Sequence, residues 1–140
     1  MPKNKNRYDT HTDWQRIKID PDPKKEHPAF ARLFYGTAYH KNYVQMKLST
    51  RYIYVHMILR AGVEDQNRKI KGSFQKKEVE KIGISYNTFI ACVEELKEYG
   101  FIQEKRLRAK NQKREFMLSD KWMTMKVGET VPEEDRYYDH

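Results

Sequence analysis

A single cysteine, Cys92, in 140 residues excludes an internal disulfide and any zinc site built from several thiolates. Flanked by Ala91 and Val93 in an amphipathic segment, it reads as a small core hydrophobe. No apolar run approaches the ~20 residues of a membrane-spanning helix, so no membrane partner is expected. The opening stretch MPKNKNRYDTHTDW lacks the apolar core of a secretory signal and leads to the expectation of a cytoplasmic protein. The five histidines (His11, His27, His40, His56 and His140) fall at no ligand spacing. There is no glycine-rich phosphate loop, no nucleophile elbow and no paired-carboxylate pattern. An enzyme, a cofactor and a metal are therefore not expected, and no residue is assigned a catalytic role.

Proline is scarce and clustered. Four of five lie in the first 28 positions and the last is Pro132, so 29–131 is free of it. This divides the chain into an extended N-terminal arm, 1–28, a folded domain, 29–126, and an acidic, mobile tail, 127–140. Within the arm, PDPKKEHP reads as a linker, while RIKID alternates as a short strand does or is unordered.

Charge is what the sequence has in quantity. Charged residues make up 34% of the chain and the net charge is +8. It is unevenly placed: +4 over 101–118, −1 over 73–100 and −3 over 119–140. A basic chain of this size suggests a polyanionic partner, although solubility alone also favours such a balance.

Local signals give the elements. Phe30, Leu33 and Phe34 fit a short helix with Pro28 in its first turn. Ser49 can cap a helix from Thr50 to Ala61, with Ile53, Met57 and Ala61 inward and Gly62 closing it. A polar loop follows, with room for a short strand near Phe74. FQKKEVEKIG reads as a short helix with Val79 and Ile82 inward and Gly83 at its end. Ser85 then caps a longer helix, 86–99, whose apolar positions are Phe89, Cys92, Val93, Leu96 and Tyr99, and Gly100 ends it. Two strand-like pieces around the polar centre 109–113 make a hairpin. The fold class is mainly α with a small β-hairpin, α+β. DKWMTMKVG either packs on this domain or mediates pairing between chains.

The stretch FQKKEVEKIGISYNTFIACVEELKEYGFIQEKR resembles a bacterial winged helix-turn-helix domain. Its marks are Val79 and Ile82 in the first helix, Gly83 and Ile84 in the turn, and Ser85 as cap. Thr88 and Phe89 match the start of the second helix, and EELKEYGFI its end. Upstream, LFYGTAYHKNYVQMKLSTRYIYVHMILRAG looks like the entry to the N-terminal domain of replication initiators from bacterial plasmids and mobile elements. The resemblance implies sequence-specific binding of double-stranded DNA by a transcriptional regulator or replication initiator, with a homodimer as one arrangement. It places Ser85, Tyr86, Asn87, Ile90, Ala91 and Glu94 toward the major groove. Asn87 is the best base reader, because its amide matches adenine N6 and N7. Ser85 and Tyr86 offer hydroxyls to phosphate. Glu94 departs from the pattern: it either accepts from cytosine N4 or solvates the far end of the helix.

The wing carries Lys105, Arg106, Arg108, Lys110, Lys113 and Arg114, with no acid between 105 and 114. Such a load suits phosphate or minor-groove contact, and equally keeps a sheet edge from aggregating. Arg32, Lys41, Lys47 and Arg51, and also Arg68, Lys69 and Lys71, can extend the same surface. The rival reading is a winged helix used for protein–protein contact, favoured by Glu94, Glu95 and Glu98 and by an exposed Ile90.

Overall fold

The computed structural model describes residues 33–61, 68–72, 74–109 and 112–139. Expectations for the arm, Phe30, Pro28, Arg32, Gly62 and Lys110 fall outside them. In chain order the elements are α1 (Tyr35–Ala38), α2 (Lys41–Val44), α3 (Leu48–Ala61), β1 (Lys69–Ile70), α4 (Lys76–Lys81) and α5 (Tyr86–Glu98). There follow β2 (Ile102–Lys105), β3 (Phe116–Leu118), 3-10 turns at Lys121–Met123 and Glu133–Arg136, and β4 (Tyr137–Tyr138). Among the described residues the result is a mixed α+β architecture: five helices and a four-stranded sheet of order β1-β3-β2-β4. No helix of the described residues is long and apolar enough to cross a membrane.

The two longest helices of the described residues, α3 and α5, pack together through Ile53, Met57, Ala61, Phe89, Cys92, Val93 and Leu96, all buried. The four-residue repeats at 53–57–61 and 89–93 put these side chains on one face of each helix. The sheet closes the core with Ile70, Ile102 and Phe116. β2 pairs antiparallel with β3 in the register Ile102↔Leu118 and Glu104↔Phe116, which makes the expected hairpin.

The helix ends explain themselves. The Ser85 hydroxyl accepts from the Thr88 amide at 3.2 Å, so one orphan donor of α5 is satisfied. At the other end Phe101 N donates to Leu96 O and Gly100 N to Lys97 O, a Schellman closure. It needs a left-handed residue, and Gly100 has φ 82°. A side chain there would also meet Trp122 N at 3.0 Å.

Several expectations are corrected. Ser49 is no cap: α3 begins at Leu48, and the Lys47 amide before it donates to the Glu95 carboxylate of α5 at 2.9 Å. A distant acid does the work assigned to a local serine. Leu33 and Phe34 precede the first helix and stay exposed. The short strand expected toward the end of the polar loop is β1, Lys69–Ile70, while Phe74 beyond it is buried outside any strand. Of the two alternatives for DKWMTMKVG, packing on the domain is observed: the Trp122 ring stacks on Phe101 at 4.8 Å, and the Asn42 amide donates to Trp122 O at 2.7 Å.

The largest correction concerns the tail. Instead of being mobile, 131–139 lies on the domain. Val131 is buried and its amide donates to Glu98 O at 2.8 Å. β4 then adds parallel to β2, with Glu104↔Tyr137 and Lys105↔Tyr138 in register. The acids that suggested a solvated tail are exposed, while Val131, Tyr137 and Tyr138 between them do the packing.

Candidate functional site

The turn between α4 and α5 is short because Gly83 takes φ 91° and Ile82 closes α4. Tyr52 of α3 braces it by donating its hydroxyl to Ile82 O at 2.8 Å. This fixes how the start of α5 is presented. Asn87, Thr88 and Ala91 are exposed there. Ser85 is occupied as a cap and also donates its hydroxyl to Thr88 Oγ1 at 2.9 Å. Tyr86 is half-buried, its ring 6.1 Å from Phe89. Ile90 is half-buried against the core rather than exposed, which removes one support for the protein-contact reading. Asn87 and Ala91 are thus the expected groove-facing residues that remain open.

Two of the three acids of α5, Glu94 and Glu95, have internal partners. Strand alternation places Glu104 on the same inward face as Ile102, so a carboxylate enters the core side of the sheet. Lys97 meets it from α5: Nζ donates to Glu104 Oε1 at 2.8 Å, and Lys97 and Glu104 are 1% and 4% exposed. Lys97 also pairs with Glu94 at 2.9 Å and donates to the Tyr137 hydroxyl of β4 at 3.2 Å. Arg114 completes the group, gripping Glu104 with two bonds of 2.6 and 2.7 Å and reaching Glu94 at 3.7 Å. Burial alone would raise the Glu104 carboxyl, but Arg114 and Lys97 outweigh it and hold it below its usual value. The Lys97 ammonium is likewise penalised by burial and rescued, chiefly by Glu104 and Glu94, so its pKa is raised. Two cations and two carboxylates close the charge locally and tie α5, the hairpin and β4 together.

This reshapes the basic hairpin. Arg114 belongs to the buried group, Lys105 pairs with Glu115 at 3.2 Å, and Arg106 pairs with Asp139 at 3.1 Å. Arg108 and Lys113 are exposed and, among the described residues, form no ion pair. Of the flanking cations, Arg51 donates to Met46 O, and Arg68 pairs with Asp120 at 3.5 Å. Lys41, Lys47, Lys69 and Lys71 are exposed.

Sequence reasoning missed Lys97 and Glu104 as a unit. The signal was present: Lys97 follows Val93 by four residues and so shares the buried face, and Glu104 follows Ile102 by two. Among the described residues no group of histidine, cysteine or acidic side chains could hold a metal. Comparison with protein-family models, with curated proteins and with solved structures returned no match.

Proposed function

We propose that this protein binds double-stranded DNA as a winged helix-turn-helix domain, in a transcriptional regulator or a replication initiator of a mobile element. In this reading α4, the Gly83 turn and α5 are the helix-turn-helix, and the β2–β3 hairpin is the wing. The observation that carries it is the distribution of charge along α5. Its first two turns, Tyr86–Val93, hold no acid and expose Asn87, Thr88 and Ala91. The acids come later, and two of them have internal work: Glu94 pairs with Lys97 and Arg114, and Glu95 caps α3. The end of the helix that would meet a groove is free of repulsion from phosphate.

Asn87 reads one base through its amide. Arg108 and Lys113 supply wing contacts to phosphate, and Lys47, Lys69 and Lys71 add to the field. The wing contribution is smaller than six cations suggest, because Lys105, Arg106 and Arg114 are matched internally.

The test is base-pair selection. Asn87→Ala should cost roughly 1–3 kcal/mol at one base pair, relax preference there and leave the salt response nearly intact. Uniform weakening over all sequences would show that Asn87 reads no base. A protein-contact role retains one specific support: Phe34, Tyr35, Tyr39 and Leu48 are exposed apolar side chains. Failure to bind any duplex at low salt would favour it.

A further inference from the structure

The chain is anchored as far as Met125, whose carbonyl accepts from the Asn42 amide at 2.8 Å. Residues 126–130, which follow, are all exposed. Among the described residues their hydrogen bonds stay within the loop. Lys126 N donates to the Glu129 carboxylate at 3.1 Å, and Glu129 N to Lys126 O at 3.0 Å. Then 131–139 lies back along the hairpin as a strap. It has one buried side chain, Val131, at its near end and the two-residue β4 toward its far end. A segment joined by an exposed loop and held by so little apolar burial opens more readily than the core beneath it.

The strap is acidic: it holds Glu133, Glu134, Asp135 and Asp139 against Arg136 alone. It lies on cations. Arg106 is engaged three times. Its amide donates to Tyr138 O at 2.7 Å, its side chain pairs with Asp139 at 3.1 Å, and its guanidinium lies 5.4 Å from the centre of the Tyr137 ring. Lys121 Nζ donates to Asp135 O at 3.2 Å. Tyr137 covers Lys97, which is 1% exposed: its hydroxyl accepts from Nζ at 3.2 Å, and its ring centre is 4.6 Å away. With the strap in place, Lys97, Arg106 and Arg114 face three carboxylates, Glu94, Glu104 and Asp139. Without it the same cations face two, and Lys97 loses its cover. Lifting the strap thus turns a neutral patch at the root of the hairpin into a positive one.

We infer that 131–139 is an autoinhibitory strap: closed, it occupies Arg106 and covers Lys97, and a polyanion engages this part of the hairpin in the open form alone. The inference rests on the DNA reading only for the identity of that polyanion. A ligand that binds one form has its apparent affinity reduced by the fraction of the protein in that form. A change that opens the strap should therefore tighten binding by the same factor, as long as the closed form predominates.

The experiment is amide hydrogen exchange on the full chain, then titration with a random duplex and with inorganic polyphosphate. It compares the parent with Asp139→Asn and Glu134→Gln. Glu134 is exposed and has no ion pair among the described residues, so its variant controls for net charge. The Arg106 amide bonds to Tyr138 O and the Val131 amide to Glu98 O, at the two ends of the strap. Both should exchange together, on the order of tenfold or more faster than the Lys105 amide, which bonds to Glu115 O across the hairpin. Asp139→Asn should quicken both by roughly two- to fivefold, the range for an exposed ion pair. It should tighten polyanion binding by that factor beyond any effect of Glu134→Gln, which should leave both amides unchanged. A common exchange rate for Arg106, Val131 and Lys105 would overturn the strap. Matched gains with polyphosphate, in a protein that ignores duplex, would keep the strap and sink the DNA reading. Duplex binding that the two variants change alike would keep the DNA reading and overturn the strap. No binding of either polyanion would overturn both.

Discussion

Glu104 is the residue on which most depends. Its carboxylate serves Lys97 and Arg114 at once, and both would be left facing a buried gap without it. Breaking a buried pair from one side costs more than the pair contributes, because the remaining charge stays desolvated. Glu104→Gln should therefore lower stability by about 3–5 kcal/mol in urea unfolding. Glu94→Gln, at a half-exposed partner, should cost no more than ~1 kcal/mol. The same group sets an acid limit. Glu104 titrates below its usual 4.5 in the folded state, so its stabilisation is complete above that pH and is lost as pH falls through the folded value. His56 acts earlier and in the same direction: burial and then Arg60 lower its pKa below 6.5, so protonation of the unfolded chain erodes stability first. Thermal midpoints should fall slightly below pH 6.5 and steeply below 4.5. A melting temperature flat from neutral pH down through the carboxylate range would contradict both assignments.

At the scale of elements, the last strand joins stability to charge. β4 puts Tyr137 over Lys97, with the ring centroid 4.6 Å from Nζ, and Asp139 against Arg106. If DNA phosphates compete for Arg106, Asp139→Asn should tighten nonspecific duplex binding at low salt, and the fold should remain. Deleting 131–140 should do the same at a cost in melting temperature, because Val131 and β4 go with it. Unchanged affinity for Asp139→Asn would mean that Arg106 does not face DNA. What was legible in the sequence divides along the same line. The α4–α5 turn, both ends of α5 and the hairpin were readable because Gly83, Ser85, Gly100 and period-two alternation act within a few residues. β4 was not readable: two tyrosines paired parallel to a strand more than thirty positions away leave no local mark. The Glu95 cap on α3 failed for the same reason. The cations of the hairpin were visible in the sequence but not their partners, since Glu94, Glu104 and Asp139 come from three separate stretches.

For the whole molecule, net charge +8 sets the attraction to a polyanion, and the internal pairs set how much of it is available. Arg108→Ala with Lys113→Ala should weaken binding to all duplexes alike, with a salt slope shallower by ~0.9 for each phosphate no longer engaged. If two chains bind together, protected half-sites should lie ~34–36 Å apart, and sedimentation with DNA should show a dimer. A single asymmetric half-site would mean a monomer reads alone. The most direct measurement is the affinity of the full chain for a short random duplex across a salt series. Linear weakening of log K with log salt, with a slope of about −0.9 per phosphate engaged, is the result expected of a protein that holds DNA through Lys47, Arg108 and Lys113. No binding even at the lowest salt would contradict it and leave the exposed apolar face around Phe34, Tyr35 and Leu48 as the surface to explain.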